Sequence, residues 1–424
     1  MDENLDIEIT VPGVYDFEGT LYIPSHRRIR FSDGAVIRRQ AEKSGKNGYF
    51  MINSGALSGE ENEDIGITGL TLYVNNTESA AALAVPELRG LLAEGEDALN
   101  KYFDRTVPGL RGQLSFMYIK DLVIKDLTVP DLCSWDYCVH ISDFDGVELD
   151  GIFIEGSKDA VHFGAGKNFT LRNGVFRTKD DPIALNADDY SPSAPTFGSI
   201  ENGLIENCRD LEQSDTCGYF VRFITGASRE WKSGMTVTHS EAVRCGGRFY
   251  RAFMPDDGTE LVSVTAPSHE KGFAVADGIA WYRTHVNLKA EELPRTADIK
   301  NITLRGLSSE KTRSVTAALY IPDNENRHGW HPGDDIPVIS DVTFDGLSIT
   351  GRTKTAFLFK APAENFKIKN SDLGGAAVRF EQASCGEGHY PASFSFENVK
   401  NFRVEDSFAF TERPADAEKD KTVY

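Results

Sequence analysis

Val147-Glu-Leu-Asp-Gly-Ile-Phe-Ile154 and Phe169-Thr-Leu-Arg-Asn-Gly-Val-Phe176 are built to one plan. Apolar and polar residues alternate, an Asp or Asn with a Gly interrupts them, and the apolar residues resume. Alternation with a period of two describes a strand with one buried face. The interruption supplies residues that tolerate a left-handed backbone at a tight turn. The plan returns in Ile65–Val74, Ile299–Leu307 and Val342–Ile349, and in shorter form in Leu21–Ile23 and Phe402–Glu405. Asp126, Asp150 and Asn173 occupy the turn slot at steps of 24 and 23 residues, and Asn370 follows Asp345 by 25. A repeat of this length is the mark of a solenoid. Short strands joined by tight polar turns make it an all-β, right-handed parallel β-helix. An antiparallel sandwich would instead place Asn-Gly or Asp-Gly between strands of equal length.

A chain of 424 residues is long for one compact core, but a solenoid buries each repeat against its neighbours and grows without that limit. The expectation is one β-helix over residues 1–424. Residues 1–40 would form the cap and first rungs, and 408–424, charged and poor in apolar residues, a frayed tail. The repeat breaks over 84–114, where Leu88, Leu91 and Leu92 within Pro86–Asp104 have helical spacing, so an inserted helix or lid is expected there. Stretches 209–235, 252–296 and 322–336 are irregular. Insertions collected on one side of a solenoid build the walls of a cleft.

The net charge of −20 repels polyphosphates, which argues against nucleic acid. A polyanionic glycan would need a local basic patch. No apolar run is long enough to span a membrane. The cysteines at 133, 138, 208, 217, 245 and 385 have neither disulfide-scaffold density nor zinc spacing, and are expected to be mostly free and buried. Met1-Asp2-Glu3-Asn4 starts no basic and apolar leader. The expectation is a cytoplasmic protein, or a secreted or periplasmic one whose leader has been removed. Oligomeric state is not legible.

Chemistry concentrates in Ser157-Lys-Asp-Ala-Val-His-Phe163 and Thr178-Lys-Asp-Asp-Pro-Ile-Ala-Leu-Asn186. Asp159 precedes Asp180 and Asp181 by 21 and 22 residues, one turn of the solenoid, so the three carboxylates should crowd into one patch. Crowded carboxylates raise one another's pKa, leaving one protonated while others stay ionised. A glycosidase needs such a pairing: an acid for the leaving oxygen and a base for water. Asp ladders that merely decorate solenoid turns are the structural alternative.

Trp135 with Val139-His-Ile141, then Lys158-Asp159-Ala-Val-His162, then Lys179-Asp180-Asp181-Pro-Ile-Ala-Leu-Asn186 resembles the centre of the polygalacturonase-like glycoside hydrolases, family 28. The resemblance covers residues 130–187, and elsewhere only the architecture. It implies a polysaccharide- or oligosaccharide-cleaving hydrolase, with Asp180 as general acid and Asp159 and Asp181 activating water in an inverting mechanism. No cofactor and no metal are implied. Two of the family's motifs are absent: a Gly-His-Gly after the Asp pair, and an Arg-Ile-Lys that engages a substrate carboxylate. Arg222 in Val221-Arg-Phe-Ile224 stands nearest to the second, or is an ordinary rim residue. The loss opens neutral or differently charged glycans.

Among other candidate carbohydrate contacts, His162 could bind sugar or tune a carboxylate, or be structural. Asn186 closes the motif. Asp188, with Asp189, lines a subsite or forms a solvated turn. Trp281 and Trp330 offer rings for stacking on pyranoses, or pack in the core. His328, His331, Asp334 and Asp335 have metal-ligand chemistry at a spacing that fits no zinc site. Two rival functions remain: a β-helical polysaccharide lyase, which needs a Lys or Arg base and often Ca²⁺, and a non-catalytic glycan-binding or fibre-type β-helix.

Overall fold

The computed structural model describes residues 5–43, 47–78, 85–132, 136–214, 216–324, 327–383, 385 and 393–406. It is a right-handed parallel β-helix whose rungs pass in turn through three strand faces. One face stacks Asn62–Thr68, the distal part of Gly112–Lys125, the distal part of Tyr137–Asp150, Gly166–Arg172, Ile200–Glu206, Ile299–Arg305 and Ile339–Asp345 in parallel register. The second is a nine-stranded sheet that includes Thr128–Leu132, Phe153–Gly156 and Val175–Thr178. The third carries Val161–Phe163, Ile183–Asn186, Val221–Ile224 and Arg313–Tyr320.

The core is a set of apolar columns, one residue per rung. Ile67, Ile124, Leu149, Leu171, Ile205, Leu304 and Phe344 stack in register and are all buried. Identical lateral placement lets each side chain bury itself on the one below, so burial grows by one layer per turn. The adjacent outward column runs Lys125, Asp150, Arg172, Glu206, Arg305, Asp345, Lys369, Glu397. Charge alternates at every step, so each side chain faces opposite sign above and below. Arg172 and Arg305 both reach Glu206.

This register corrects the turn slot by one residue. Asp150 stands level with Lys125 and Arg172, and Gly151 is level with Asp126 and Asn173. The left-handed backbone lies at Asp126 (φ 54°), Gly151 (φ 68°) and Asn173 (φ 53°). Gly346 (φ 81°) likewise precedes Asn370 (φ 51°), displacing Asp345. The displaced aspartates anchor the next rung: Asn173 Nδ2 donates to Asp150 Oδ1, and Asn370 Nδ2 to Asp345 Oδ1, each at 2.8 Å.

Two insertions rise beside the third face. The break at 84–114 contains helices α1 (Val85–Glu94) and α2 (Glu96–Tyr102). The irregular stretch between Val221 and Ala317 contains a five-stranded sheet, including Arg248–Phe253 and Ile279–Thr284. Leu88, Leu99, Tyr102 and Phe103 of the helical insertion pack on Phe253, Phe273 and Ala280 of this sheet, giving one continuous wall. Cys138, Cys208 and Cys385 are buried, Cys245 is half-buried, and Cys217 is exposed. Cys133, Trp135 and the 408–424 tail lie outside the described residues. No helix is long and apolar enough to cross a membrane among the described residues.

Candidate active site

Asp159 and the Asp180-Asp181 pair sit in successive turns between the second and third faces. Val161 pairs with Ile183 one rung on, and Ala160 N donates to Asp181 O at 3.0 Å, which fixes the two turns one above the other. One carboxylate oxygen from each aspartate lies within 4.8 Å of the others. Asp159 and Asp181 are buried, whereas the Asp180 side chain keeps 14% of its surface.

The 178–181 turn is held from behind by a charged cluster where the second face would otherwise be apolar. Asp210 follows Phe176 in the inward column and is wholly buried with Lys311 and Arg313. Arg313 donates to Asp210 Oδ2 at 2.8 Å and to Asp180 O at 3.4 Å, and Lys311 donates to Thr178 O. Asp210 thus orders two cations whose remaining protons grip the carbonyls of the aspartate turn. From the next rung, Tyr219 N donates to Asp181 Oδ1 at 2.6 Å. Gly218 (φ +66°) leaves no room for a Cβ, which would press on Oδ1 of both Asp180 and Asp181.

On the third face, His140, His162, Ala184, Arg222 and Ala318 form one outward column. The methyl of Ala184 leaves the space over which Arg222 reaches three carboxylates: Asp181 at 2.8 Å, and Asp159 and Asp189 at 3.5 Å each. Lys158 pairs with Asp180 at 2.5 Å. His162 Nδ1 lies 3.0 Å from Asp159 Oδ2, and its ring stacks on Tyr137 at 4.3 Å. Asn186 donates to Asp189 Oδ2 at 2.7 Å and accepts from Arg222 Nε at 3.2 Å.

Burial sets the charge states. It pushes Asp159 up to about 7, helped by Asp180 and opposed by Arg222, and pushes Asp181 up to about 8 against the pull of Arg222. Burial acts on Asp180 in the same sense, but Lys158 and Arg222 outweigh it and hold its carboxyl below the ordinary value. The same desolvation lowers His162 to about 3, so its imidazole is neutral. Protons therefore bind the inner carboxylates in preference to the outer one.

These groups floor a cavity of about 270 Å³ lined by Arg111, Tyr137, Lys158, Asp159, Asp180, Asp189, Tyr190, Arg222, His239, Met254 and Asp256, among others. Leu88 of α1 and Met254 of the inserted sheet form its far wall. Arg89 and Asp257 form an ion pair joining the two insertions beside it.

Of the residues expected from sequence, the structure brings Asp159, Asp180, Asp181, His162, Asn186 and Arg222 together. His162 and Asn186 are buried beneath the cavity floor rather than open to it. Asp188 is neither in the cavity nor in a solvated turn. It is buried, pairing at 2.8 Å with both Arg251 and Arg327, and Asp189 beside it is the residue that lines the site. Trp281 lies wholly buried in the apolar core of the inserted sheet, level with Ala252 and Ala274, whose small side chains make room for the indole. It therefore offers no face to a sugar. Trp330 packs half-buried against the main core with Nε1 donating to Asp334 O at 3.3 Å, away from the cavity. His331 Nε2 lies 2.9 Å from Glu241, and Asp334 Oδ2 accepts from His331 N; the four His and Asp residues of that segment gather no cation site among the described residues. Lys158, Gly218, Tyr219 and His239 are site residues that the sequence reading does not single out. Only Lys158, adjacent to Asp159, carried a local signal.

The fold and the cavity define a parallel β-helix with a carboxylate-floored pocket. No family model and no curated sequence matches the chain. Among solved structures it is similar to an endo-xylogalacturonan hydrolase from Aspergillus tubingensis, at 9% identity and a TM-score of 0.48, over 95% of this chain and 85% of the other. It is also similar to a family 28 exopolygalacturonase of Yersinia enterocolitica (14%, TM-score 0.44, 96% and 74%). The surface adhesin PfbA of Streptococcus pneumoniae is a third (13%, TM-score 0.43, 96% and 85%). With an adhesin among hydrolases at these scores, the chemistry must be argued from the pocket.

Proposed function

We propose that the protein is a glycoside hydrolase acting on a poly- or oligosaccharide. The observation that carries this reading is the convergence of Asp159, Asp180 and Asp181 in one cluster at the cavity floor, the two inner carboxylates raised in pKa and the outer one lowered. Asp180, the carboxylate with an open face, is placed to meet the glycosidic oxygen and acts as general acid. Asp159 and Asp181 hold the attacking water. The water oxygen forms a bond to the anomeric carbon as the bond to the leaving oxygen breaks. The leaving oxygen takes a proton from the acid, and the base takes one from the water. An inverting course is the one we favour, because Asp181 is wholly buried and cannot itself bond an anomeric carbon. Because the inner pair binds protons more tightly than Asp180, the acid is charged by transfer across the cluster, whose titrations belong to the set rather than to one residue.

The Lys158–Asp180 ion pair, which holds the Asp180 carboxyl below its ordinary value, favours a second assignment within the same reaction, with Asp159 as acid and Asp180 as base. Elimination has less support, because the two cations at the cluster that could serve as base, Lys158 and Arg222, are both held by carboxylates. The test is release of reducing ends from a panel of pectic, glucan, galactan and algal polysaccharides, alongside Asp180→Asn. Hydrolysis should fall by at least about 10³-fold in the variant at unchanged circular dichroism. Product absorbing near about 235 nm, the unsaturated sugar of an elimination, would replace hydrolase by lyase. No turnover by the wild type on any glycan would leave a binding protein.

A further inference from the structure

The cavity beside the aspartates has a wall whose polarity tells what it can bind. His239 is buried and lines it, with Nδ1 2.6 Å from Met254 O. A carbonyl only accepts, so Nδ1 carries the proton, and the neutral imidazole presents the bare lone pair of Nε2. That nitrogen makes no hydrogen bond within the described residues. Asp256, exposed on the same wall, adds a carboxylate. Asp189, Asp159 and Asp180 add three more around the floor.

Against these acceptors stand three cations, and the protein itself engages each. Lys158 is held by Asp180, and Arg222 by three aspartates. Arg111 lies over the Tyr137 ring at 4.9 Å and donates to Ser193 Oγ at 3.3 Å. A sugar carboxylate entering here would meet Asp256 and Asp180, and could pair only with a cation that the protein already engages, at a cost in a confined site. Ring hydroxyls are donors and fit the acceptors directly.

We infer that this pocket selects an uncharged sugar ring, with His239 Nε2 and Asp256 accepting hydrogen bonds from its hydroxyls, so that the substrate is a neutral glycan rather than a polyuronide. The inference rests on the hydrolase reading for the word substrate, but not for the ring preference itself.

The test separates the two. Binding of galactose and glucose, and of galacturonate and glucuronate, is measured by saturation-transfer NMR on the wild-type protein. Cleavage is measured on a polyuronide before and after chemical reduction of its carboxylates to primary alcohols, and on neutral glucans and galactans. A neutral ring should bind, and its uronate counterpart at least about tenfold more weakly, since a site with buried acceptors rejects a group it cannot pair. His239→Leu, which removes the acceptor, should weaken the neutral ring by about tenfold. Asp256→Lys, on an exposed loop where folding is not at risk, should admit the uronate. A uronate that binds as well as the neutral ring, or a polyuronide that is cleaved only before reduction, overturns the inference and leaves the hydrolase reading intact. A neutral ring that binds with no glycan cleaved overturns the hydrolase reading and leaves the inference intact. No ring bound and no glycan cleaved overturns both.

Discussion

Replacing Arg222 by Met should destabilise the protein by an amount that grows with pH. Arg222 is 16% exposed, so its three ion pairs are not surface contacts discounted by water. At pH 5, Asp159 (about 7) and Asp181 (about 8) are protonated, while Asp189, lowered by Arg222 and His162 against its burial, is ionised. The guanidinium then serves one anion, and its loss costs about 1.5–3 kcal/mol, the worth of a charged hydrogen bond. At pH 9 all three are ionised, and removing the shared cation approaches the about 3–5 kcal/mol of a broken buried pair. The sign follows from linkage. A carboxylate whose folded pKa is raised contributes stability that is full below about 3.8 and lost as pH rises through its folded value. Asp159 and Asp181 therefore weaken the fold progressively from about pH 3.8 up to about 7 and about 8 respectively, Arg222 limits that loss, and its removal deepens it. Urea unfolding of wild type and Arg222→Met at pH 5 and pH 9, at fixed ionic strength, measures the two gaps. An equal gap at both pH values would show that Arg222 acts by packing alone and would refute the electrostatic account.

Gly218→Ala should lower turnover by about 10²-fold or more, the scale of a misplaced catalytic group. Its Cβ would press on both Asp180 and Asp181 from a left-handed backbone that itself costs about 1–2 kcal/mol, so reducing-end release must be read beside a thermal melt. Lys158→Met removes the first of the cations holding Asp180 down, so the Asp180 pKa rises. If Asp180 is the acid, the alkaline limb of the kcat/KM profile moves to higher pH. If it is the base, the acidic limb moves up instead, and the roles of Asp159 and Asp180 are exchanged. An unmoved profile would remove Asp180 from the chemistry.

How much of this was legible in the sequence depends on how far apart in the chain each contact lies. The solenoid was readable because its signal repeats every turn, and the aspartate cluster because Asp159 and Asp180 fall in adjacent, uninterrupted turns. The turn slot was misread by one residue where Asp is followed by Gly. Both tolerate a left-handed backbone, so composition does not say which takes it, and Gly151 and Gly346 take it because they carry no Cβ penalty. Trp281-Tyr282 could not be sorted into core and surface without knowing that Ala252 and Ala274 flank the indole. Asp188 reads from sequence as a subsite residue or a solvated turn because its partners, Arg251 and Arg327, arrive from the inserted sheet and from a later segment of the chain.

The same non-local contacts set how the cations beside the cavity are used. Arg222 comes from the rung after the aspartates, near where a substrate-reading cation was expected, yet it is drawn inward by Asp159, Asp181 and Asp189. Four carboxylates within one cavity cannot all be desolvated without counter-charge, and the fold meets that demand with Arg222 and Lys158, which consumes the positive charge a uronate would have needed. The inserted wall then contributes acceptors, His239 and Asp256, rather than replacements. If the pocket instead cleaved polyuronides, one of these ion pairs would have to open on binding, and disruption of Lys158–Asp180 would be the least costly, since Lys158 is the more exposed of the two cations at 27%. Lys158→Met would then raise KM for the polyuronide while leaving the KM of its carboxyl-reduced form unchanged. Equal KM effects on both forms exclude that route and leave the neutral ring as the ligand the charges can accommodate.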